Sequence, residues 1–476
     1  MPANISPSST TAGVGIIGAG ITGLTAAYQL RRAGFPVTVY EAAPRPGGVI
    51  CSFREGPWLA EGGPNTILET SPVIAQLIGQ LGLEGRRLDS RPEATARYVV
   101  RDGRPVLLPS SGPKFFVSPL FSWKAKSRLL VEPFIPRAES EESVADFVRR
   151  RLGQEFLDYA IDPLVTGIYA GDPAALSIQH AFPRVYAQED QYGSLIRGQL
   201  FGGRERKRRG EVSKATAKKF SFDHGLQVLP DTLAQALGDG VRLNSRIEEV
   251  QPVQGGWRVN GRHGDQPLTA EHRVVLFCGT AHTLARLQIQ VSGAPSMEPL
   301  GSVHYPPVSS VVLGFRRSDV DHPCEGFGML IPHREGFGIL GTIFSSSLFT
   351  GRAPADHLTL TVYVGGVRNA DKAALPDGEL IDLVRRDLNR LLGVRGAPAY
   401  SHITRWPAAI PQYEVGYGRH KALLDQLESK APGFFVAGHY RDGVALSDSL
   451  GTGTRTAERI ANYLNPTSPS TPRTDS

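Results

Sequence analysis

GVGIIGAGITGLTAAYQLRRAGFPVTVYEAAPRPGG, residues 13–48, decides how the chain begins. Val14 to Ile17 is a short apolar run of the kind that fills a buried parallel strand. It passes straight into Gly18-Ala19-Gly20-Ile21-Thr22-Gly23, after which LTAAYQLRRAG has helical periodicity. The order is strand, glycine turn, helix. Gly18 permits the tight turn, Gly20 lets the backbone approach a pyrophosphate, and Gly23 lets the helix pack against the strand. The helix N-terminus then offers unpaired N–H groups to phosphates, with Ala19, Ile21 and Thr22 among the expected cofactor contacts. Gly34 closes the helix, and FPVTVYE reads as a second strand ending at Glu41, with Ala42 next. An acid roughly 20 residues beyond the glycines accepts from a ribose 2′-OH, and its charge would repel a 2′-phosphate, which disfavours NADP. The glycines alone are also compatible with a tight turn that holds no ligand.

The residues after Ala42 separate NAD from FAD. Arg45-Pro46-Gly47-Gly48-Val49 puts a second glycine pair soon after the acid. It resembles the element by which FAD enzymes of the glutathione-reductase and amine-oxidase type fold back beside the pyrophosphate. WLAEGGPNTI (58–67) resembles the loop that passes over the isoalloxazine in the same superfamily, which implies flavin contacts from Gly63, Pro64, Asn65 and Thr66. Near the other end, GFFVAGHYRDGVALSDSLGTG (433–453) resembles the superfamily's closing motif, in which Val444, Ala445 and Leu446 start a helix aimed at the cofactor. Ile247 falls where a main-chain contact to adenine is common, and Trp406, in RWPAAIPQY, reads as a cofactor contact or as plain core. The implied cofactor is FAD, bound non-covalently, since the closing motif contains no cysteine.

The bulk properties fit a large globular protein. The chain has 476 residues, 41% hydrophobic and 21% charged, long enough for two or three domains. No apolar run reaches the roughly 18 residues that span a bilayer. Cys51, Cys278 and Cys324 are far apart with no CxxC pair, so neither a disulfide framework nor a zinc site is expected, and a reducing cytoplasm fits. The net charge of +6 is concentrated at GGRERKRRGEVSKATAKK (202–219), read as a solvated loop or as a surface for acidic substrates and anionic lipid. No aromatic interleaving or recognition motif accompanies it, so nucleic acid is not an expected partner.

The expected architecture is α/β: a Rossmann-like FAD-binding domain (13–88, 221–295 and 406–464), an antiparallel β-sheet substrate domain (89–108 and 296–405) and an inserted helical domain (109–220). Residues 1–12 and 465–476 read as disordered tails. The substrate sheet is predicted from the hairpin ARYVVRDGRPVLLP (96–109) with its DG turn, and from the alternating runs SSVVLGFRR, GFGMLIP, GILGTIF and LTLTVYVGG.

Outside the FAD motifs, four stretches in order resemble the protoporphyrinogen oxidase family of flavin enzymes: ARYVVRDGRPVLLPSS (96–111), IDPLVTGIYAGDPAALSI (161–178), GFGMLIP (326–332) and ILGTIFSSSLFTGRAP (339–354). The resemblance implies that Arg97 pairs with a propionate of a tetrapyrrole and that the Gly167 carbonyl meets pyrrole N–H groups. It also implies an apolar slot lined by Leu330, Ile343 and Tyr363. Tyr363 stands where the family often has phenylalanine, and His439 where it more often has asparagine. The implied reaction oxidises protoporphyrinogen IX by six electrons in three passes at one flavin, with dioxygen as acceptor and hydrogen peroxide as product. No dedicated acid or base is then needed, and the protein's task is orientation.

The alternatives are coproporphyrinogen III as substrate, a flavin amine oxidase, or a non-catalytic flavin-binding protein. Amine oxidases commonly place a lysine near the flavin from the substrate side, yet no lysine occurs between Lys219 and Lys372. The resemblance further implies dioxygen and a porphyrinogen as small-molecule partners, ferrochelatase and a second copy of the chain as protein partners, and peripheral attachment to the inner face of the cell membrane. SSGPKFFVSPLFSWKAKSRLLVEPFIP (110–136) mixes Phe, Trp, Leu and Lys as an interfacial segment does; a substrate lid or helical core is the other reading.

Overall fold

A computed structural model describes residues 13–199, 201 and 217–465. Both expected tails, apart from Asn465, and residues 202–216 of the basic stretch lie outside the described residues. A five-stranded, all-parallel sheet runs in the order Val241–Arg242, Val37–Tyr40, Val14–Ile17, Val274–Phe277, Phe434–Val436. Its central strands are wholly apolar and buried, as a sheet covered on both faces requires. The first helix (Ile21–Arg32) and the last (Leu446–Leu464) cover one face, crossing closely where Gly453 lies against Thr22 and Thr25. An antiparallel sheet of Gln266–His272, Gly256–His263 and Ser245–Val253, with the short strand Gln288–Ile289 added parallel, lies beyond the other face. Both helices begin at the carboxyl edge of the parallel sheet, where open α/β sheets bind ligands.

A seven-stranded sheet runs Tyr400–Trp406, Val308–Arg316, His357–Gly365, Ile339–Ile343, Gly328–Leu330, Arg97–Arg101, Arg104–Leu107. It is antiparallel as expected, with one correction. Gly328–Leu330 pairs parallel to Arg97–Arg101, because a long excursion through the helical region separates them and returns the chain in the same direction. The Arg97–Leu107 hairpin turns at Asp102 and Gly103, both with positive φ, as a DG turn in a right-twisted hairpin demands. The amphipathic helix Asp377–Leu392 closes one face of this sheet with Leu380, Val384, Leu388 and Leu391. Residues 112–192 are mainly helical. The strand Lys218–Phe222 straddles the boundary expected at 220, pairing on one side with Ile67–Glu69 and on the other with Arg87–Asp89. Cys51, Cys278 and Cys324 are free thiols, and no metal-binding cluster occurs among the described residues.

Candidate active site

The glycine turn is a cradle with one open side. The Gly18 N–H donates to the Tyr40 carbonyl at 2.8 Å, and Gly18 has φ +108°, which only glycine adopts readily. A Cβ on Gly23 would sit 2.1 Å from the Gly18 carbonyl oxygen, so this glycine is fixed by packing. Gly20 differs, because a Cβ there would meet nothing within 4 Å. Facing it, the Gly47 N–H donates to the Ala19 carbonyl at 2.8 Å, and a Cβ on Gly48 would touch only the Gly20 Cα. The second glycine pair therefore folds back beside the first. Arg45 laces that loop, donating to the carbonyls of Pro46, Gly48 and Ile50. The open side of Gly20, beside the Gly47–Gly48 loop, is where a pyrophosphate fits.

Glu41 follows the second strand directly. Its carboxylate accepts from the N–H groups of Ala19 (2.7 Å) and Ala43 (2.8 Å), which fixes it at the rim of the cradle next to exposed Ala42. Ile247 lies nearby, because the Ser245 N–H donates to the Glu41 carbonyl and a bulge follows Ile247. Ala445 caps the last helix, whose first turn contains Leu446 and leaves N–H groups without intrahelical partners, with Val444 just before.

The loop expected over the flavin is held from both sides. A Cβ on Gly63 would lie 2.0 Å from the Val49 carbonyl, so the two expected cofactor segments touch. From the seven-stranded sheet, Trp406 Nε1 donates to the Gly62 carbonyl at 2.7 Å. The Tyr363 hydroxyl donates to the Gly63 carbonyl (3.2 Å) and accepts from Asn65 Nδ2 (2.7 Å). Pro64 and Thr66, both half-buried, complete the loop.

Strand register explains how residues distant in sequence meet here. Tyr363 pairs with Gly341, Gly341 with Leu330, and Leu330 with Val99, which forms one row across four strands. Two residues along, Thr361, Ile343, Gly328 and Arg97 form the next row. Because alternate residues share a face, Arg97, Ile343, Leu330 and Tyr363 all project from one side, with glycines between them. Among the described residues the Arg97 guanidinium has no carboxylate partner. It lies over the Phe327 ring, 5.5 Å from the centroid, and burial lowers its pKa.

Opposite this face, the helix Asp162–Tyr169 follows a π-helical turn (Leu157–Ile161), a form frequent at functional sites. A Cβ on Gly167 would sit 2.7 Å from Leu330 Cδ2, so glycine sets how closely helix and sheet approach. The helix stops at Tyr169, where Ala170 takes a left-handed conformation, and the exposed Gly167 carbonyl accepts no intrahelical bond. Gln412 secures the helix end through the Tyr169 carbonyl (2.8 Å), and Arg368 pairs with Asp162 and Asp172.

Glu61, next to the loop, is a site residue that motif reading does not mark. Only 3% exposed, it accepts from Ser52 Oγ (2.6 Å) and the Leu226 N–H (2.9 Å), with Arg352 3.7 Å away. Burial outweighs these contacts and pushes its pKa up to about 7. In the unfolded chain the same carboxyl titrates near 4.5, so the folded state holds the proton more tightly between those values. The contribution of Glu61 to stability therefore falls as pH rises from roughly 4.5 to 7, against the rising contributions of His272 and His439, whose pKa values burial lowers to about 4. Glu61→Gln should remove the falling contribution, so that its stability relative to wild type rises between roughly pH 4.5 and 7 in urea unfolding series; a difference that does not change with pH would assign the titration to other groups.

The profile of the family described as flavin containing amine oxidoreductase matches residues 21–461. The chain belongs to this family. It is an FAD-dependent oxidoreductase with a flavin amine oxidase-like fold. Protoporphyrinogen oxidase 2 of Arabidopsis thaliana is 35% identical across 95% of this chain and 94% of its own length. Coproporphyrinogen III oxidase of Bacillus subtilis is 29% identical across 94% of this chain and 98% of its own. The solved cyclohexylamine oxidase from Brevibacterium oxydans IH-35A superposes with a TM-score of 0.68 at 18% identity, covering 96% of this chain and 100% of that one, a likeness of fold alone. The residues of the cradle fit FAD: open space at Gly20 beside the Gly47–Gly48 loop, an acid at the rim, and two helix starts at one sheet edge.

Proposed function

We propose that the chain oxidises protoporphyrinogen IX to protoporphyrin IX. The observation that carries this reading is the single sheet face that sets an unpaired cation, Arg97, in line with apolar Ile343, Leu330 and Tyr363 beside the loop Gly62–Asn65. Bound FAD supplies two-electron acceptance and returns the electrons to dioxygen. This family member's own residues supply placement. Arg97 takes a propionate, the aliphatic row packs on the macrocycle, and the free Gly167 carbonyl accepts from pyrrole N–H groups. Trp406 and Tyr363 hold the loop through its carbonyls, so the distance between sheet and cofactor is set by hydrogen bonds as well as by packing. Val444–Leu446, Glu41, Ile247 and the Arg45–Val49 loop complete the FAD contacts.

Steady-state turnover with protoporphyrinogen IX and coproporphyrinogen III, followed by porphyrin fluorescence, tests the reading. A hundredfold preference for the first supports it, and the reverse preference makes coproporphyrinogen III the substrate. No turnover of either, with an amine bleaching the flavin instead, would overturn it. Homodimer formation and contact with ferrochelatase belong to the same proposal, and light scattering of the flavin-loaded protein with and without ferrochelatase reads both.

The reading includes a peripheral membrane contact. No helix among the described residues is long and apolar enough to cross a bilayer. Yet Val117, Trp123, Leu130 and Phe134 are each more than 70% exposed, next to exposed Lys114, Lys124 and Arg128. Apolar side chains ringed by cations suit an anionic lipid surface. Replacing Trp123, Leu130 and Phe134 together by serine should reduce co-flotation with anionic vesicles at least roughly tenfold while flavin content stays unchanged, since each buried side chain contributes about 1.5–3 kcal/mol. Equal flotation would remove this face from the proposal.

A further inference from the structure

Lys219 occupies the middle strand of the small sheet that joins the two halves of the site. It pairs with Leu68, three residues beyond Asn65, so its neighbour on one side is the chain leaving the flavin loop. On the other side the Ser90 N–H donates to the Lys219 carbonyl at 2.8 Å, and Ser90 leads through the short turn Pro92–Thr95 to Arg97. Phe220, the next residue, is fully buried under the Arg87 guanidinium, so alternation sends the Lys219 side chain to the opposite face. Lys219 itself is half-buried.

The cations around it are paired. Arg87 bonds Glu69 and Asp89, and Arg86 bonds Asp223. Lys219 has no carboxylate among the described residues, and neither has Arg97. Leu88 pairs with Ser221, which by alternation shares the face of Lys219, and Leu88 packs in one cluster with Ile343 and with Phe327, over whose ring Arg97 lies, so this face of the small sheet is turned toward the Arg97 side of the site. Burial lowers the pKa of Lys219, and the positive charge of Arg97 adds to the effect. Two half-buried like charges repel, and the arrangement comes to rest when anions sit between them.

We propose that Lys219 is the second cation of the substrate seat: Arg97 takes one carboxylate and Lys219 the one beside it, so the cleft selects tetrapyrroles that carry two carboxylates on one edge. The inference rests on the porphyrinogen reading and names the residue that sets its charge specificity. A hydrogen-bonded charge pair of this kind supports roughly a tenfold effect on binding.

The test compares wild-type holoenzyme with Lys219→Gln, Lys219→Arg and, as control, Lys218→Gln, whose lysine is exposed. The substrates are protoporphyrinogen IX and its mono- and dimethyl esters. Lys219→Gln should raise KM for the diacid roughly tenfold, with kcat falling far less, and the gap to wild type should close on the diester. Lys219→Arg should recover most of the loss, and Lys218→Gln should match wild type. A KM for Lys219→Gln within twofold of wild type on the diacid overturns the assignment while leaving the porphyrinogen reading intact. A wild-type enzyme that turns over no porphyrinogen ends both. Should Lys219→Gln fail to load flavin, wild type decides: a KM roughly tenfold higher for monoester than for diacid supports the paired seat, and equal values overturn it.

Discussion

Gly20→Val is expected to give a folded, colourless protein. Gly20 has φ −66° and ψ 170°, an extended conformation that β-branched residues adopt easily, and a Cβ there meets no protein atom within 4 Å. The apoprotein therefore has no clash to relieve. What valine would occupy is the open side of the cradle, between Gly20 and the Gly47–Gly48 loop, where helix-start N–H groups are free for an anion. Hydrogen bonds to charged groups contribute about 1.5–3 kcal/mol each, so displacing two of them costs roughly 4 kcal/mol, about a thousandfold in the flavin Kd. The 450 to 280 nm absorbance ratio and an FAD titration measure the loss, and far-UV circular dichroism checks the fold. Gly23→Val makes the contrast, because its Cβ would press on the Gly18 carbonyl and the variant should be lost from the soluble fraction outright. A yellow Gly20→Val protein with wild-type stoichiometry would mean the pyrophosphate lies elsewhere.

That pair of glycines shows what the sequence makes readable. Strand, turn, helix and terminal acid are local, each decided within a few residues, and Gly18, Gly20, Gly23 and Glu41 stand where spacing places them. The Arg97–Leu107 hairpin is readable for the same reason, since Asp102-Gly103 dictates its turn. The substrate face is not readable from spacing. Arg97 meets Leu330, Ile343 and Tyr363 only through register with strands more than two hundred residues later in the chain, and family resemblance alone points to the four together. Burial of charge is hidden more deeply. Glu61 looks like the polar end of an ordinary strand, and Lys219 like the tail of a basic loop; pairing with distant strands gives each its environment.

The three arginines 149–151 make the same point energetically, and the replacement of the last, Arg151→Met, is expected to destabilise the protein by about 3–5 kcal/mol. Their helix, Val144–Arg151, buries Val144, Phe147, Val148 and Arg151 on one stripe, so consecutive arginines meet three different surroundings. Arg149 is exposed beside Asp146, Arg150 is partly covered between Glu142 and Glu189, and Arg151 is wholly buried between Glu132 and Glu189. Removing the guanidinium leaves two buried carboxylates. Glu189 keeps Arg150 at 2.9 Å, and Glu132 keeps Ser194 and the N–H groups of Leu195 (2.9 Å) and Ile196 (3.2 Å), which argues for the lower end of the range. Adding Glu132→Gln should recover part of the loss, because a buried carboxylate without its cation costs more than a buried amide. Urea unfolding of the single and double variants measures both. Arg151 tethers the chain on either side of its helix, from Glu132 beside exposed Leu130 and Phe134 to Glu189. Loss of the network should therefore weaken vesicle flotation before it affects flavin content. A single variant as stable as wild type would show that the neighbouring donors suffice for both carboxylates and that Arg151 is held by packing alone.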